Sequence, residues 1–475
     1  MTERLTAELA VIGGGPGGYA AAFLAADLGM KVTLVDREKN PGGVCLYRGC
    51  IPSKALLHVA ALLQETREAK NWGVDFGEPK IDLNRLRAWK EEVVAKLTGG
   101  LGQLARQRKV QYLQGTARFL DAHSLAIRGA DGMERTLRFQ HAILATGSRA
   151  ASLPFLPQDP ARIWTSKQAL SLPKVPNSLL VIGGGYIGLE LGSVYASLGA
   201  SVTVVEMLPG LLPGADRDLV RVLERRLSGL FKEILLETTV TAVEVQKTGV
   251  KVSFAGKNAP PEPRRFDAVL VSVGRKPNTA DLGLENTAVQ LTEKGFVRVD
   301  AQRRTDEPSI YAIGDIAGEP MLAHKASHEG RVAVEAIAGK KVAFEPNAIP
   351  AVVFTDPELA WTGLTEAEAK AQGLEVEIVR FPWGASGRAT TLGRNDGLTK
   401  MVVDRASRRI LGVGIVGPGA GELIAEGTLA VEMAALVDDL ALTIHAHPTL
   451  SETLMEAAES FFGTSTHIYR PKRGK

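Results

Sequence analysis

Only two cysteines, Cys45 and Cys50, occur among 475 residues. A pair five positions apart cannot be a structural disulfide framework, because the loop it closes is too short to restrict the unfolded chain much. Two readings remain: a catalytic or regulatory couple, or two buried reduced thiols. Aromatic residues are scarce too, at 5%, whereas glycine is abundant with 50. That balance suits tight turns and close backbone approaches to ligands, as in nucleotide-binding α/β folds. Excess charge of either sign is missing: 56 Lys and Arg against 53 Asp and Glu leave +3, too little for a nucleic-acid footprint. The basic end with Arg470, Lys472, Arg473 and Lys475 reads as solvated and frayed. Long apolar runs are absent as well. The best candidate, Leu9 to Met30, is broken by five glycines and Pro16 before Tyr19 and carries Asp27, so it reads as no membrane span. No basic leader precedes it, as a secretory signal would require. The expectation is a cytoplasmic protein, or an organelle-matrix one if eukaryotic, built of about three domains.

What is present begins with one unit written twice. Leu9 to Ile12 is a buried-strand pattern running into Gly13-Gly14-Gly15-Pro16-Gly17-Gly18, an alanine-rich helical stretch, and a second strand, Val32 to Val35, that ends at Asp36. The same order recurs from Leu179 to Ile182 through Gly183, Gly185, Tyr186 and Gly188 to Val202 to Val205, ending at Glu206. The paired glycines and acids are all offset by 170 positions. A lone G-x-G-x-x-G is a weak signal, but strand, helix, second strand and acid at this spacing make two dinucleotide sites. The first glycine makes the turn, the second lets the backbone reach a pyrophosphate, and the third packs helix on strand. The phosphates lie at the helix N-terminus, where unpaired N–H groups face them. Glu206 favours NAD over NADP, since a 2′-phosphate beside a carboxylate costs on the order of 1–4 kcal/mol. Met207, Leu208 and Pro209 follow it, with no arginine close by.

Three more strands end in turns of the same kind. His141 to Ser148 delivers Thr146 and Gly147, Ala268 to Arg275 delivers Gly274, and Ser309 to Ile316 delivers Asp315 at its carboxyl end. Asp315 taken alone reads as a turn residue after Gly314.

The cysteines follow Asp36 closely, in Gly42-Gly43-Val44-Cys45-Leu46-Tyr47-Arg48-Gly49-Cys50-Ile51-Pro52-Ser53-Lys54. In a regular helix their Cα atoms would lie roughly 8–9 Å apart, beyond the bridging range of about 7 Å. Bonding therefore needs a distorted helical start, which Gly49 and Pro52 suit, and a strained, accessible disulfide is easily reduced. Near the other end, Ile444 to Glu452 reads I-H-A-H-P-T-L-S-E. There Glu452 can fix the tautomer of His447 and raise its basicity. His445 has no such partner in the motif and reads as structural, and Glu456 and Glu459 read as a solvated helix face.

The cysteine segment resembles the redox-active stretch of the pyridine nucleotide-disulfide oxidoreductases, written GGTCLNVGCIPSK in the dihydrolipoyl dehydrogenases. Both fingerprints, the ATG turn, the GD motif and the HPTLSE segment stand in that family's order, so the resemblance covers essentially the whole chain. It departs at Val44, Tyr47 and Arg48. The resemblance implies FAD in the first unit, with Gly13, Gly15, Pro16, Gly18, Asp36, Lys54, Gly115, Thr146, Gly147, Asp315 and Ala323 as its contacts. It implies NAD in the second, with Gly183, Gly185, Tyr186, Gly188, Glu190, Glu206 and Gly274. Cys45 would exchange with a dihydrolipoyl substrate, Cys50 would face the flavin, and His447 with Glu452 would handle the proton. Lys54 and Glu190 would form an ion pair near the flavin, and Tyr186 would cover the nicotinamide side. No metal is expected. Glutathione-reductase-like enzymes generally take NADPH, which Glu206 opposes, and their redox stretch tends to read CVPKK; a flavoprotein scaffold would be expected to lack one of the reactive groups.

The fold class expected is α/β, with two Rossmann-like dinucleotide-binding domains and a C-terminal α+β dimerisation domain. The divisions are 1–150 for FAD, 151–276 for NAD, 277–345 completing the flavin site, and 346–475 for the interface. In the last, strands such as Thr399 to Val403 and Ile410 to Val416 fit an antiparallel sheet with helices on one side. The base must reach Cys50 from its own subunit or from a partner. Sequence leaves both open, and the resemblance implies the partner of a homodimer. It also implies that the lipoyl group arrives on another protein, a lipoyl-bearing acyltransferase or glycine-cleavage carrier protein.

Overall fold

The computed structural model describes residues 3–469; the basic end expected to fray lies outside them. The first nucleotide unit is a parallel sheet in the order Gln111–Asp121, Val32–Asp36, Glu3–Ile12, Glu134–Leu144, Ile310–Ala312. Ser124–Gly129 adds an antiparallel excursion on Gln111–Asp121 and Glu134–Leu144. Leu9, Val11 and Leu34 are fully buried, as are Ala10 and Ile143. Continuous burial of this kind comes from a sheet covered on both faces. The strand order reverses between Glu3–Ile12 and Glu134–Leu144, so a crevice opens at their carboxyl ends, where Gly13 meets Ala145.

The second unit repeats that plan: Glu233–Leu235, Ser201–Val205, Ser178–Ile182, Ala268–Val271 and Ile163–Trp164, all parallel. The chain leaves the first unit through Ser148–Ala150 and returns through Arg275–Pro277, and these two short strands pair antiparallel. The C-terminal sheet is antiparallel throughout, in the order Ala351–Val353, Glu358–Gly363, Ile410–Gly417, Leu398–Asp404, Val376–Pro382. The helices Ala420–Glu432 and Glu452–Phe462 pack on it. The helix Arg217–Leu230 of the second nucleotide unit also meets it, with Leu219 against Gly414.

The three parts share one core. Leu56, Leu57 and Ala60 from the helix Cys50–Glu68 pack in the same cluster as Leu189, Val194 and Leu219 of the second unit and Val353, Leu359 and Val416 of the C-terminal sheet. This continuity holds the cysteine helix at a set position against both other parts.

An ionic anchor works beside it. Lys400, almost fully buried, pairs with Asp216 at 3.0 Å, Asp218 at 3.1 Å and Glu366 at 2.8 Å. Against the effect of burial, Arg380 and Lys400 hold Asp218 below its ordinary pKa, and Lys400 does the same for Glu366. Their contribution is therefore complete above the ordinary carboxylate pKa and is lost as the pH falls through the lowered values. Lys400→Ala leaves these carboxylates short of their buried cation and is expected to cost about 3–5 kcal/mol, read as a lower denaturation midpoint of the intact protein.

Candidate active site

The helix Gly43–Arg48 stops at Gly49 and a new helix, Cys50–Glu68, starts at the second cysteine. Gly49 has φ −140° and ψ −116°, and a Cβ there would come within 2.9 Å of the Val44 carbonyl oxygen and 3.2 Å of the Cys45 Cα. Glycine thus lets the two turns close on each other. Pro52 stands in the first turn of the second helix, where an N–H has no intrahelical partner to lose. The break expected from the sequence is present, and it brings the thiols into hydrogen-bond contact. Both are free thiols here, and Cys50 is the more exposed of the two. The bond from Cys45 draws the Cys50 thiol down to about 7, with Lys54 helping and burial opposing. The same bond and burial push Cys45 up. One thiol keeps its proton while the other becomes a thiolate, a division of labour that sequence alone could not supply.

Lys54 lies one turn beyond Cys50, and its Nζ donates to Glu190 Oε2 at 2.8 Å. The ion pair implied by resemblance is therefore present, across 136 positions of chain. Two things hold it. The Phe354 backbone N–H donates to Glu190 Oε1 at 3.0 Å, and the Lys54 ammonium sits 4.3 Å from the centre of the Phe354 ring, a contact between a cation and the negative face of the ring. Phe354, from the C-terminal part, was missed by sequence reasoning, and no local pattern points to it. Tyr186 joins the same group. Burial raises its phenol to about 12; Arg275 opposes that, while Glu190, Cys50 and Asp315 add to it. Tyr19, also missed, has its phenol raised by burial and then by Cys45 and Cys50.

Each nucleotide unit presents a cradle suited to a pyrophosphate. Gly13 has φ +106° and Gly183 φ +108°, backbone that side chains rarely adopt, and a Cβ at either would collide with Ala145 O or Ser272 O. Gly18 and Gly188 let their helices close on Gly13 and Gly183. Gly15 and Gly185 have open space where a Cβ would stand, and each begins a helix with no side-chain cap. Uncapped N–H groups facing open space fit a phosphate group. Pro16 occupies the first helical position of one unit, and Tyr186 that of the other. Asp36 Oδ2 accepts from Gly14 N at 2.5 Å, and Glu206 Oε2 from Gly184 N at 2.7 Å. These acids brace the turns, and a carboxylate keeps lone pairs for ribose hydroxyls besides. The residues present fit FAD and NAD.

The remaining expected contacts surround the first cradle or its junction with the second. Thr146 Oγ1 donates to Asn278 O at 2.8 Å, and Gly147 turns the chain beside it. Ser148 Oγ donates to Asp315 Oδ2 and receives Arg275 Nε at 2.7 Å. Asp315 is thus more than a turn residue. Its turn is braced from behind by the fully buried Glu329, which accepts from Gly314 N at 2.6 Å and pairs with Arg303 and Lys325. Ala323 opens the helix Ala323–Ile337, which leans on Gly17 of the first fingerprint helix. Gly274 follows the strand Ala268–Val271 with open space beside it. Gly115 lies where Gln111–Asp121 passes from its parallel to its antiparallel partner, backed by Arg128 and Gly129.

His447 Nδ1 meets Glu452 Oε1 at 2.9 Å, and Glu452 Oε2 accepts the Thr449 N–H at 2.7 Å. Against burial, Thr449 and His447 hold the Glu452 carboxyl below its ordinary value. An ionised Glu452 only accepts, so Nδ1 carries the proton and Nε2 is left as the acceptor. The His447 side chain is 72% exposed. His445 does have a partner, outside the motif: Nε2 meets Glu426 at 2.7 Å and Nδ1 the Thr443 carbonyl at 2.8 Å. Its burial agrees with a structural role. The reading of Glu456 as solvated needs correction. It is only 3% exposed and is bonded to Ser465 and His467 at 2.5 Å each, because the chain turns at Gly463 and folds back over that helix face. Glu459, half-buried beside it, has its carboxyl raised by burial and by Glu456. Among the described residues no three His, Cys, Asp or Glu gather as a metal site would need, and no helix is long and apolar enough to cross a membrane.

Residues 7–330 match the pyridine nucleotide-disulphide oxidoreductase family, and residues 349–458 match its dimerisation domain. A dihydrolipoyl dehydrogenase from Vibrio parahaemolyticus is 49% identical over the whole of both chains. One from Haemophilus influenzae is 49% identical over 99% of this chain and 98% of its own. Among solved structures, LpdA from Mycobacterium tuberculosis superposes with a TM-score of 0.88 at 29% identity, over 97% of this chain and all of its own. The HOCl-induced flavoprotein disulfide reductase RclA from Escherichia coli, as its Cu(II) complex, gives 0.85 at 27% identity, over 97% of this chain and all of its own.

Proposed function

The chain belongs to the dihydrolipoyl dehydrogenases of the pyridine nucleotide-disulphide oxidoreductase family, and from that premise we propose how its residues divide the work. The activity is oxidation of a dihydrolipoyl group to its cyclic disulfide, with reduction of NAD+ to NADH through FAD. FAD, when bound, supplies a two-electron acceptor that hands a hydride to NAD+.

The protein's own steps begin with the Cys45–Cys50 disulfide. His447 Nε2 takes the proton of a substrate thiol, and the resulting thiolate attacks Cys45 and displaces Cys50 as a thiolate. The second substrate thiol then attacks the mixed bond, which releases the lipoyl disulfide and leaves Cys45 as a thiol. The disulfide is restored when the pair gives up two electrons and the Cys45 proton to the acceptor that a bound FAD would supply. One substrate proton is released to solvent and the balance closes as dihydrolipoyl plus NAD+ to lipoyl plus NADH plus H+. Lys54, held by Glu190, keeps a positive charge beside Cys50, and Tyr186 would shield the nicotinamide side of a bound flavin. Asp36 and Glu206 hold the two adenosine riboses, and Asp315 contributes to the flavin site. In this reading 1–150 and 277–345 form the FAD domain, 151–276 the NAD domain and 346–475 the interface domain.

The single observation that carries the assignment is the cysteine pair brought together across the helix break at Gly49, with the Lys54–Glu190 ion pair one turn beyond Cys50. It has an optical consequence. Reduction by dihydrolipoamide or NADH is expected to produce a long-wavelength band from the Cys50 thiolate beside oxidised flavin. Lowering the pH through about 7 protonates Cys50, so the band is lost toward acid and kept toward base. A reduced protein without the band, or a Cys50→Ser variant that retains it, contradicts the mechanism. Reduction of NAD+ by dihydrolipoamide, set against glutathione disulfide with NADPH, tests the substrate class. We further assign the dyad's partner disulfide to the second subunit of a homodimer. A lipoyl-bearing acyltransferase or glycine-cleavage carrier protein brings the substrate, in the cytoplasm, as the bacterial relatives favour.

A further inference from the structure

Two of the three departures from the family's redox stretch, Tyr47 and Arg48, lie between the cysteines, and both tie the short helix Gly43–Arg48 back to the loop before it. The Arg48 guanidinium pairs with Glu38 Oε1 at 2.5 Å, with both side chains largely covered. The Tyr47 hydroxyl donates to Asn40 O at 3.1 Å and receives Asn40 N at 3.2 Å. The loop itself is held on both sides. Glu38 N donates to Asp36 Oδ1 at 2.8 Å, Tyr112 donates to the Glu38 carbonyl at 2.8 Å, and Asn40 lies against Gly102 of the helix Leu83–Gln107. Val at position 48, as the family pattern has it, could form no such ion pair.

The chemistry of the position makes the pairing consequential. Arg48 is three residues from one thiol and two from the other and is always charged. A free guanidinium on this turn would stabilise thiolate and so favour reduction of the disulfide. The groups that act on the thiol pair from the elements packed around it are Lys54, Glu190, Tyr19 and Tyr186. Arg48 is instead spent on Glu38.

We propose that Glu38, with Tyr47 and Asn40, is a positioning clasp that holds the charge of Arg48 off the cysteine pair and so sets the equilibrium between disulfide and thiol–thiolate. The inference rests on the reading of Cys45 and Cys50 as the redox couple, in which the disulfide takes up two electrons and one proton to give one thiol and one thiolate.

The test uses FAD-loaded protein and measures the midpoint of the cysteine couple together with the pH at which the long-wavelength band is half lost. Glu38→Gln frees the guanidinium, and the equilibrium constant for disulfide reduction is expected to rise about threefold to tenfold, ~15–30 mV for a two-electron couple. The band's half-loss should move to lower pH. Glu38→Gln combined with Arg48→Val should return both values to those of the starting protein. Arg48→Val alone leaves the Glu38 carboxylate without its cation, so both values should move the opposite way, toward harder reduction, by about threefold or less. Equal shifts in Glu38→Gln and the double variant, or no shift in either, overturn the proposal. So does an Arg48→Val midpoint that moves toward easier reduction, and that arm stands even if Glu38→Gln fails to hold FAD. The unsubstituted protein guards the underlying reading: if it gives no band, the redox couple is misassigned whatever the clasp variants do.

Discussion

His447→Gln is expected to lower kcat for dihydrolipoamide oxidation by about 10²–10⁴-fold, the usual worth of a positioned general base. The reason is local. Glu452 accepts from Nδ1, which leaves Nε2 free to take the substrate proton, and glutamine has no group that can do so near neutral pH. Glu452→Gln should cost less, because the imidazole remains and only its orientation and basicity suffer. Electron flow from NADH through FAD to an artificial acceptor uses no substrate thiol and should survive in both variants. FAD content should also be unchanged, since both residues are remote in sequence from the fingerprints. A His447→Gln protein with near-normal dihydrolipoamide turnover would remove His447 from the mechanism.

Hybrid dimers provide the second large effect. His447 is 72% exposed, and the segment leading to it carries Ile444 at 96% and Leu442 at 82% exposure. Large apolar side chains left open together mark a surface that another chain covers, and this stretch lies within the matched dimerisation domain. If each site joins the disulfide of one subunit to the dyad of the other, Cys50→Ser and His447→Gln homodimers are both inactive. A Cys50→Ser chain paired with a His447→Gln chain then holds one intact site. Random reassortment makes about half of all dimers hybrid by twofold symmetry, so the mixture should recover about a quarter of full activity. Were the dyad to serve its own subunit, the hybrid would have no intact site and the mixture would stay inactive. The two arrangements thus differ by a measured quarter against nothing.

The parts legible in the sequence are those whose geometry is local. Gly13, Gly15 and Gly18 lie within one turn and its helix, so spacing alone encodes the cradle, and the repeat at Gly183, Gly185 and Gly188 doubles the signal. Cys45, Gly49 and Cys50 are likewise a single interrupted helix, and His447 with Glu452 a single loop. Residues joined across the fold leave no such trace. Phe354 reaches Lys54 and Glu190 only because the shared core fixes the C-terminal sheet against the cysteine helix. Arg275 meets Ser148 because the chain's exit and return strands pair. Glu456 looked solvated because its helix face carries charge, and it is buried because the chain beyond Gly463 covers that face.

The sequence by itself determined two nucleotide cradles, a redox-suited cysteine pair and a histidine–glutamate dyad, since hydrogen bonds and turns within a few residues depend on residue type and spacing. Tertiary structure alone decided how the thiols differ. The Cys45 hydrogen bond and the Lys54 charge together outweigh burial and draw Cys50 toward the thiolate, and fields of that kind depend on distances through space, which distance along the chain does not encode.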